Sequence, residues 1–333
     1  MRLFLLSVIT FFFATKSMAQ QNVVDDLLSE KKPKREYTPY TFKSTRIING
    51  HSIETLKRNS LDIRFSHRFG DIAVAGISGH TLAGIDNASD ILISVEYGIL
   101  DDLMVGVGRS KGGTSGQGLK ELYNGFVKYR VLKQTTDFKI PISITVVANA
   151  VVSSQKYDPF VPNLLLKNEP ASHRFSYMAE ALFASKATSW LSLQLSTTFV
   201  WRNYVAYNDQ NALFFLGLSA RAKTSKRTAI LFECFMPIGA RGYRDYFPMV
   251  KGAKNAAFYP NLHIGFEIET GGHVFAINLT NSEGLVENDF LVYNTKNWAQ
   301  GQFRLGFTIS RILQFGKGGT FDKAKKKKKE VAQ

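Results

Sequence analysis

The sequence predicts an all-β protein, a transmembrane antiparallel β-barrel of about twelve strands behind an N-terminal export signal. Three observations lead to this prediction. Twelve short stretches alternate apolar and polar residues, the period of a strand with one face in lipid and one in a lumen. The links between these stretches alternate strictly between short and long. No segment after the signal has the run of about 18 apolar residues that a membrane-spanning helix needs.

The chain begins with features of a secretory signal. Arg2 precedes an apolar run from Leu3 to Ala14, and Ser17 and Ala19 are small residues placed as at a cleavage site. About a dozen apolar residues are too few to span a bilayer. We therefore predict that residues 1–19 are a signal peptide, cut after Ala19. The residue directly after the cut is Gln20 and not Cys, which argues against a lipid-anchored lipoprotein.

Charge and cysteine content narrow the class of protein. A single cysteine, Cys234, excludes an intramolecular disulfide framework. The net charge of +15 is uneven, since residues 20–58 carry eight Lys and Arg and residues 316–333 carry seven against two acidic residues. A nucleic-acid site would need such cations on one folded face. We predict no nucleic-acid partner and interpret 316–333, with KAKKKKKE at 323–330, as a disordered Lys-rich tail. Attraction to anionic headgroups or a periplasmic partner is the alternative.

The segment between the signal and the first strand, residues 20–58, has no clear strand pattern. Its stretch EKKPKREYTPY is polar and contains proline, and Asn49-Gly50 is a turn signal between short apolar pieces. We predict that 20–58 is a periplasmic leader segment that folds back against the barrel mouth.

The twelve strands of the predicted barrel, residues 59–315, each separate an apolar from a polar set of side chains. In the clearest strand Leu191, Leu193 and Leu195 share one parity, and polar residues such as Gln194 take the other. The apolar set should face lipid. Leu193→Arg is therefore expected to block assembly, whereas Gln194→Arg should be tolerated.

Charged residues on the polar parity are the candidate lumen-lining residues. Paired across the barrel they would form a network that occludes the lumen, and separated they would line an aqueous path. We favour the paired network. The candidates are Asp62, Arg64, Arg68, Glu96, Lys128, Arg130, Arg174, Glu180, Arg202, Arg221, Glu233, Glu267, Glu269 and Arg304.

The lengths of the links distinguish a membrane barrel from a soluble sandwich. Short links fall at 98–102, 132–137, 186–189, 223–226 and 270–272, and six long links, of which 238–258 is an example, interleave with them. Antiparallel barrels of the outer membrane have short periplasmic turns and long outer loops. The pattern therefore predicts an outer-membrane protein with both termini in the periplasm.

No motif predicts catalysis. GVGRSKGG at 106–113 lacks the strand and helix context of a dinucleotide site, and its glycines more simply keep the inward face small. His51-Ser52, Ser66-His67 and Ser172-His173 are neighbours in sequence, which does not make a catalytic pair. No zinc or calcium motif occurs. We predict no catalytic, cofactor-binding or metal-binding residue, no cofactor and no enzyme.

One stretch carries a family resemblance. The segment FKSTRIINGHSIETLKRNSLDIRFSHRFGD, with TRIINGHSIET at 45–55 and HRFGD at 67–71 as its most specific parts, resembles the uncharacterised outer-membrane β-barrel family called domain of unknown function 5777. The resemblance covers most of the chain after the signal and implies a barrel in the outer membrane. It implies no activity and no functional residue.

The function expected from these features is non-enzymatic. A porin-like barrel surrounded by outer-membrane lipid would pass or bind a small solute, or anchor a periplasmic protein. Two alternatives remain open at this point: an outer-membrane lipid-acting hydrolase with His51 and Ser52 near the rim, and a soluble secreted β-sandwich that binds ligands through its loops.

Overall fold

The computed structural model describes residues 35–72, 82–112, 119–157, 169–205, 209–239, 258–316 and 320. The chain divides into two units, Met1–Glu36 and Tyr37–Gln333, and the architecture below is that of the second. The predicted signal peptide and nearly all of the predicted tail lie outside the described residues. Among the described residues, no helix has the length and apolar character needed to cross a membrane.

Twelve antiparallel strands form one closed barrel, as predicted. Each strand pairs with its neighbours in sequence, and β1 pairs with β12 to close the cylinder. The closure excludes the soluble β-sandwich. The strands are β1 Ser60–Asp71, β2 Ala88–Leu100, β3 Leu103–Ser110, β4 Leu122–Leu132, β5 Ser143–Ser153, β6 Phe175–Lys186, β7 Leu191–Arg202, β8 Ala212–Lys223, β9 Thr228–Ile238, β10 Asn261–Thr270, β11 His273–Thr280 and β12 Arg304–Gln314.

The two ends of the barrel differ in their links. Four tight links and the β4–β5 link lie at one end, together with the start of β1 and the end of β12; we call it the short-turn end. The six long links lie at the other, the long-loop end. The β4–β5 link spans residues 133–142 and is longer than predicted. Its Thr135 forms an isolated bridge with Tyr37 and so leaves the hairpin ladder.

The two faces of the wall follow the predicted alternation. In β7, Leu193 points outward with 42% of its surface exposed, whereas Gln194 points inward with 3% exposed. Strand β8 departs from a purely polar inward face, because Leu213 and Phe215 are buried inside the barrel. Inward apolar side chains of this kind need apolar partners within the lumen.

Two segments supply those partners and fill the lumen. The first is residues 37–58, which we call the plug, and the second is residues 281–303 of the β11–β12 link, which we call the inner loop. Residues 44–56 and 284–292 are buried throughout. The inner loop holds the short helix α1, Glu287–Phe290, and a 3-10 turn, Trp298–Gln300. Part of the predicted periplasmic leader therefore lies inside the barrel instead of against its mouth.

An apolar cluster joins both segments to the wall. Phe42 and Ile53 of the plug and Phe290 of the inner loop are almost completely buried in it. A glycine makes room for one of its members, since a Cβ on Gly106 would lie 2.3 Å from Cε1 of Phe126. The other members from the two segments are Ile47, Ile48, Leu56, Leu291 and Val292.

Candidate functional site

The plug is a hairpin that enters and leaves the lumen by the same mouth. Within it, the Ile47 N–H donates to the Gly50 carbonyl (3.0 Å) and the Ser52 N–H to the Thr45 carbonyl (2.9 Å). Asn49 and Gly50 form its tip, as the turn signal predicts. At the short-turn end, the Thr38 N–H donates to Gln134 and the Asn59 N–H to Gly98, each at 2.9 Å. Both ends of the hairpin are thus tied to one end of the barrel.

The tip of the plug is held by one carboxylate of the wall. Glu233 on β9 accepts hydrogen bonds from the backbone N–H groups of Ile48 (3.1 Å), Asn49 (2.9 Å) and Gly50 (3.2 Å). Several N–H donors on one carboxylate make a strong, charge-assisted anchor. A larger residue does not fit at position 50, since a Cβ on Gly50 would lie 2.6 Å from the Phe235 ring.

Other wall side chains satisfy the plug's backbone carbonyls. The Lys128 ammonium donates to Thr45 (2.9 Å), the Gln194 amide to His51 (2.8 Å), and the Thr145 hydroxyl to Ile53 (2.9 Å). A backbone outside regular structure needs such partners when it is buried. The polar lumen wall therefore serves as the binding surface for the plug.

A buried ionic contact connects the plug to the inner loop. The guanidinium of Arg46 pairs with Glu287 of α1, and its Nε lies 3.6 Å from Oε1 of Glu96 on β2. Burial alone lowers the pKa of Arg46, but the carboxylates of Glu287 and Glu96 outweigh burial and raise this pKa above its ordinary value. Arg46 thus stays charged at the junction of the two segments.

His51 sits beside this contact as a neutral side chain. Its Nε2 lies 3.4 Å from Nη2 of Arg46 and 3.5 Å from Oε1 of Glu287. Burial and the charge of Arg46 lower the pKa of His51 well below its ordinary value. The neighbouring Ser52 hydroxyl donates to the Ser44 carbonyl at 2.5 Å. His51 and Ser52 lie deep in the lumen, away from the rim where the hydrolase alternative put them.

The structure brings the candidate lumen residues together only in part. Seven of the fourteen contact the plug through their side chains. Arg64 donates to the Ser44 hydroxyl (2.6 Å), and Arg130 lies 3.4 Å from the Glu54 carboxylate. The remaining contacts on the plug are Arg68 with Asn49, Glu96 with Thr45, Glu269 with Lys43, and Glu233 and Lys128 as given above, the last two on its backbone.

The other candidates pair within the wall or at the long-loop end. Arg221 on β8 binds Glu267 on β10, with 2.6 Å between Nη2 and Oε1. This ion pair crosses the intervening strand β9. The rest are Asp62 with Arg64, Glu180 with Thr198, Arg202 with Asp209, Arg174 with Glu169, and Arg304 with Glu283. The predicted charge network thus consists of several local pairs.

Four residues of the candidate site were not predicted from the sequence. Arg46, Glu54 and Glu287 lie in segments without strand periodicity, so no parity assigns them to the lumen. Asp90 is different, because it shares the inward parity of Glu96 on β2. Asp90 accepts hydrogen bonds from the Ser110 hydroxyl and from the backbone N–H groups of Gly112 and Leu285. Extending the alternation of β2 by one residue, from Ile91 to Asp90, would have identified it.

The described residues enclose two small cavities within the lumen. A cavity of about 40 Å³ lies at the long-loop end between the inner loop and β6 and β7, and one of about 10 Å³ lies beside Arg46 and Arg64. Each holds at most a few water molecules. Across the described ranges, no group of three or more His, Cys, Asp or Glu side chains is arranged to hold a metal ion.

Comparison with known proteins adds the family. No curated protein sequence matches the chain significantly. Among solved structures, the NanC porin covers 77% of this chain and 99% of its own length, with 10% identity and a TM-score of 0.43. The KdgM porin, solved in complex with disordered oligogalacturonate, covers 77% and 99%, with 8% identity and a TM-score of 0.41.

A third structure, an outer-membrane channel from Pseudomonas putida F1, covers 78% of this chain and 98% of its own, with 13% identity and a TM-score of 0.41. Likeness at this level carries no argument about function. The sequence of residues 42–313 matches the family described as membrane bound beta barrel domain, and this range includes most of the plug and nearly the whole wall. The chain therefore belongs to the membrane-bound β-barrel family known as domain of unknown function 5777.

Proposed function

We propose that this protein is an outer-membrane channel for a small hydrophilic solute and that its own plug keeps the channel closed. The observation that carries the proposal is the topology of the plug. Residues 37–58 enter and leave the lumen at the short-turn end, so the hairpin can withdraw without unthreading and without breaking any strand pair of the wall.

The wall beneath the plug supports this function. The side chains that hold the hairpin, among them Glu233, Lys128 and Gln194, are polar or charged. Water can replace the plug at such groups when the hairpin leaves. A permanent filling has no need of this chemistry, because well-packed apolar side chains fill a lumen with equal or greater stability.

The apolar contacts of the plug explain why the closed state dominates. Phe42, Ile47, Ile48, Ile53 and Leu56 are each at most 5% exposed. Burial of one such side chain contributes about 1.5–3 kcal/mol. Five together hold the hairpin in place by an amount that thermal motion rarely overcomes, so opening needs a ligand or a partner.

The family and the topology support a location in the outer membrane. The barrel is membrane-bound, and the export signal predicted in residues 1–19 directs it to the outer membrane. The short-turn end then faces the periplasm and the long-loop end faces outward. Both ends of the plug are accordingly on the periplasmic side.

Planar-bilayer conductance tests the proposal. The full chain should be silent or should open rarely. A variant in which residues 38–55 are replaced by a Gly-Ser linker and residues 284–292 of the inner loop are shortened to four glycines should conduct steadily. The two single deletions should conduct less, because each leaves one half of the lumen filled.

A point variant avoids the risk that deletions disturb assembly. Glu233→Ala removes the anchor of the plug tip and should raise the open probability, whereas Glu269→Ala, which removes a contact at the mouth, should change it little. Heat-modifiable gel mobility verifies that each variant forms the barrel. If assembled double-deletion barrels do not conduct, the protein is not a channel.

A further inference from the structure

The short-turn end carries more positive charge than its own carboxylates can neutralise. Its turns and strand ends present four carboxylates. Asp101 accepts a hydrogen bond from the Arg58 backbone N–H (2.9 Å), and the other three are paired with side chains: Asp102 with Arg130, Asp137 with Lys139, and Glu269 with Lys43. The described residues offer no carboxylate within ion-pair distance of seven further cations: Lys57, Arg58, Lys133, Lys186, Lys223, Lys226 and Arg227.

These seven cations surround the mouth of the barrel; together with Tyr37 and Tyr40 we call them the basic face. They come from the segment before β1, the β4–β5 link, the end of β6 and the β8–β9 turn, which lie on different sides of the mouth. The outer part of the plug passes among them. The Lys186 ammonium lies 3.5 Å from the Pro39 carbonyl, and the Lys133 ammonium lies 5.7 Å from the centre of the Tyr37 ring.

Two aromatic side chains of this basic face are exposed. Tyr37 and Tyr40 are 47% and 53% exposed, although both belong to the segment that closes the lumen. Tyrosines flanked by cations are typical anchors of protein interfaces. The cations also disturb one another, since burial and the charges of Arg130 and Lys57 lower the pKa of Lys133. A bound anion would relieve this repulsion.

We propose that the basic face binds an acidic segment of a partner protein, over the point where the plug leaves the lumen. A water-borne polypeptide fits better than lipid, because the cations come from different sides of the aqueous mouth and Tyr37 and Tyr40 belong to the segment that fills the lumen. Lipid headgroups reach only the outer rim. Strand β12 also ends at this face, where the Phe315 N–H donates to the Asn59 carbonyl.

Such a partner would contact the plug directly and so supply the trigger that the closed channel needs; this consequence rests on the proposed function, whereas the binding itself does not. An acidic segment that pairs with Lys133 and Lys186 competes with their contacts to Tyr37 and Pro39. These are among the contacts that hold the outer part of the hairpin at the mouth.

Fluorescence anisotropy with a labelled 20-residue polyglutamate peptide tests the binding on the full chain in zwitterionic nanodiscs. We expect affinity that falls with rising salt, as screening of exposed charges requires. The triple variant K133Q/K186Q/K223Q should weaken binding roughly tenfold. The control K111Q/K120Q/K156Q makes the same change of charge at the long-loop end and should leave binding unchanged.

A second pair of variants separates recognition from attraction by net charge. Y37A/Y40A keeps the charge and should weaken binding several-fold, whereas Tyr157→Ala at the long-loop end should not. Equal weakening by both glutamine triples, or wild-type binding by K133Q/K186Q/K223Q, would overturn the proposal. So would peptide binding that is abolished by anionic lipid in the nanodisc, because the face would then belong to headgroups. Conductance of the same variants reports separately on the channel.

Discussion

The outward and inward faces of the same strands obey different rules. On the outward face of β7, Leu193 and Leu195 are each 42% exposed on the protein surface. On the inward face, Gln194 is buried and donates to one carbonyl of the plug. The outward face must only be apolar enough for lipid, whereas the inward face is matched to specific groups of the plug and inner loop.

This difference predicts that substitutions on the two faces have different consequences. A polar change on the outward face should prevent insertion, because lipid offers no partner for charge. A change on the inward face should leave the barrel intact and loosen the plug. Assembly of the barrel and closure of the lumen should therefore be lost separately.

Loss of Arg46 should affect closure most. Arg46→Met leaves Glu287 and Glu96 without this cation, and breaking a buried ion pair costs roughly 3–5 kcal/mol. The barrel should still assemble. The measurement is maleimide labelling of Ser52→Cys in a Cys234→Ser background, which should become much faster when the plug withdraws.

Lys57→Met is the matched control for charge, because Lys57 is exposed at the short-turn end. It should leave labelling slow. The double variant R46M/E287Q should recover part of the closure, since it removes one of the stranded carboxylates. Labelling of Arg46→Met at the rate of Lys57→Met would show that the ionic contact does not hold the plug.

The two faces of β7 give the next test. Leu193→Arg places a cation in lipid at a cost of about 2–4 kcal/mol and should abolish the heat-modifiable band. Gln194→Arg should assemble. The sequence alone predicts that Gln194→Arg is tolerated. Because Gln194 is buried and donates to the His51 carbonyl, however, the larger arginine side chain should displace the plug. Equal assembly of wild type and Leu193→Arg would refute the assignment of faces.

Acid should loosen the plug by a smaller amount. The pKa of His51 is lowered in the closed state, so the neutral form stabilises closure fully above its ordinary value of about 6.5. This stabilisation is lost as pH falls below about 6.5, by less than about 1.4 kcal/mol per pH unit. Labelling of Ser52→Cys, normalised to an exposed cysteine at Ser225, should rise from pH 8 to pH 5. His51→Gln should reduce the pH dependence.

Removal of residues 316–333 should have the smallest effect. The strand pairing of the wall ends at Gln314, and the deleted residues are rich in Lys with little apolar surface. Heat-modifiable mobility and slow labelling of Ser52→Cys should both persist. A truncated protein that fails to insert would show that the tail takes part in folding.

The sequence alone determined the wall. Lipid imposes one local rule on every strand, an apolar residue at each second position, and this rule is visible in a window of ten residues. It locates Leu193 and Gln194 on their faces and gives twelve strands with alternating links. The turn at Asn49-Gly50 is equally local.

Only the tertiary structure decided what fills the lumen. Glu233 holds Ile48 from 185 residues away, and Arg46 meets Glu287 across 241 residues. No local pattern encodes such contacts, because their partners carry no shared period. The sequence does contain one trace of the filling, the apolar Leu213 and Phe215 at inward parity in β8. Such side chains avoid water, so their presence on an inward face requires apolar groups inside the barrel, but which segment supplies them depends on the fold as a whole.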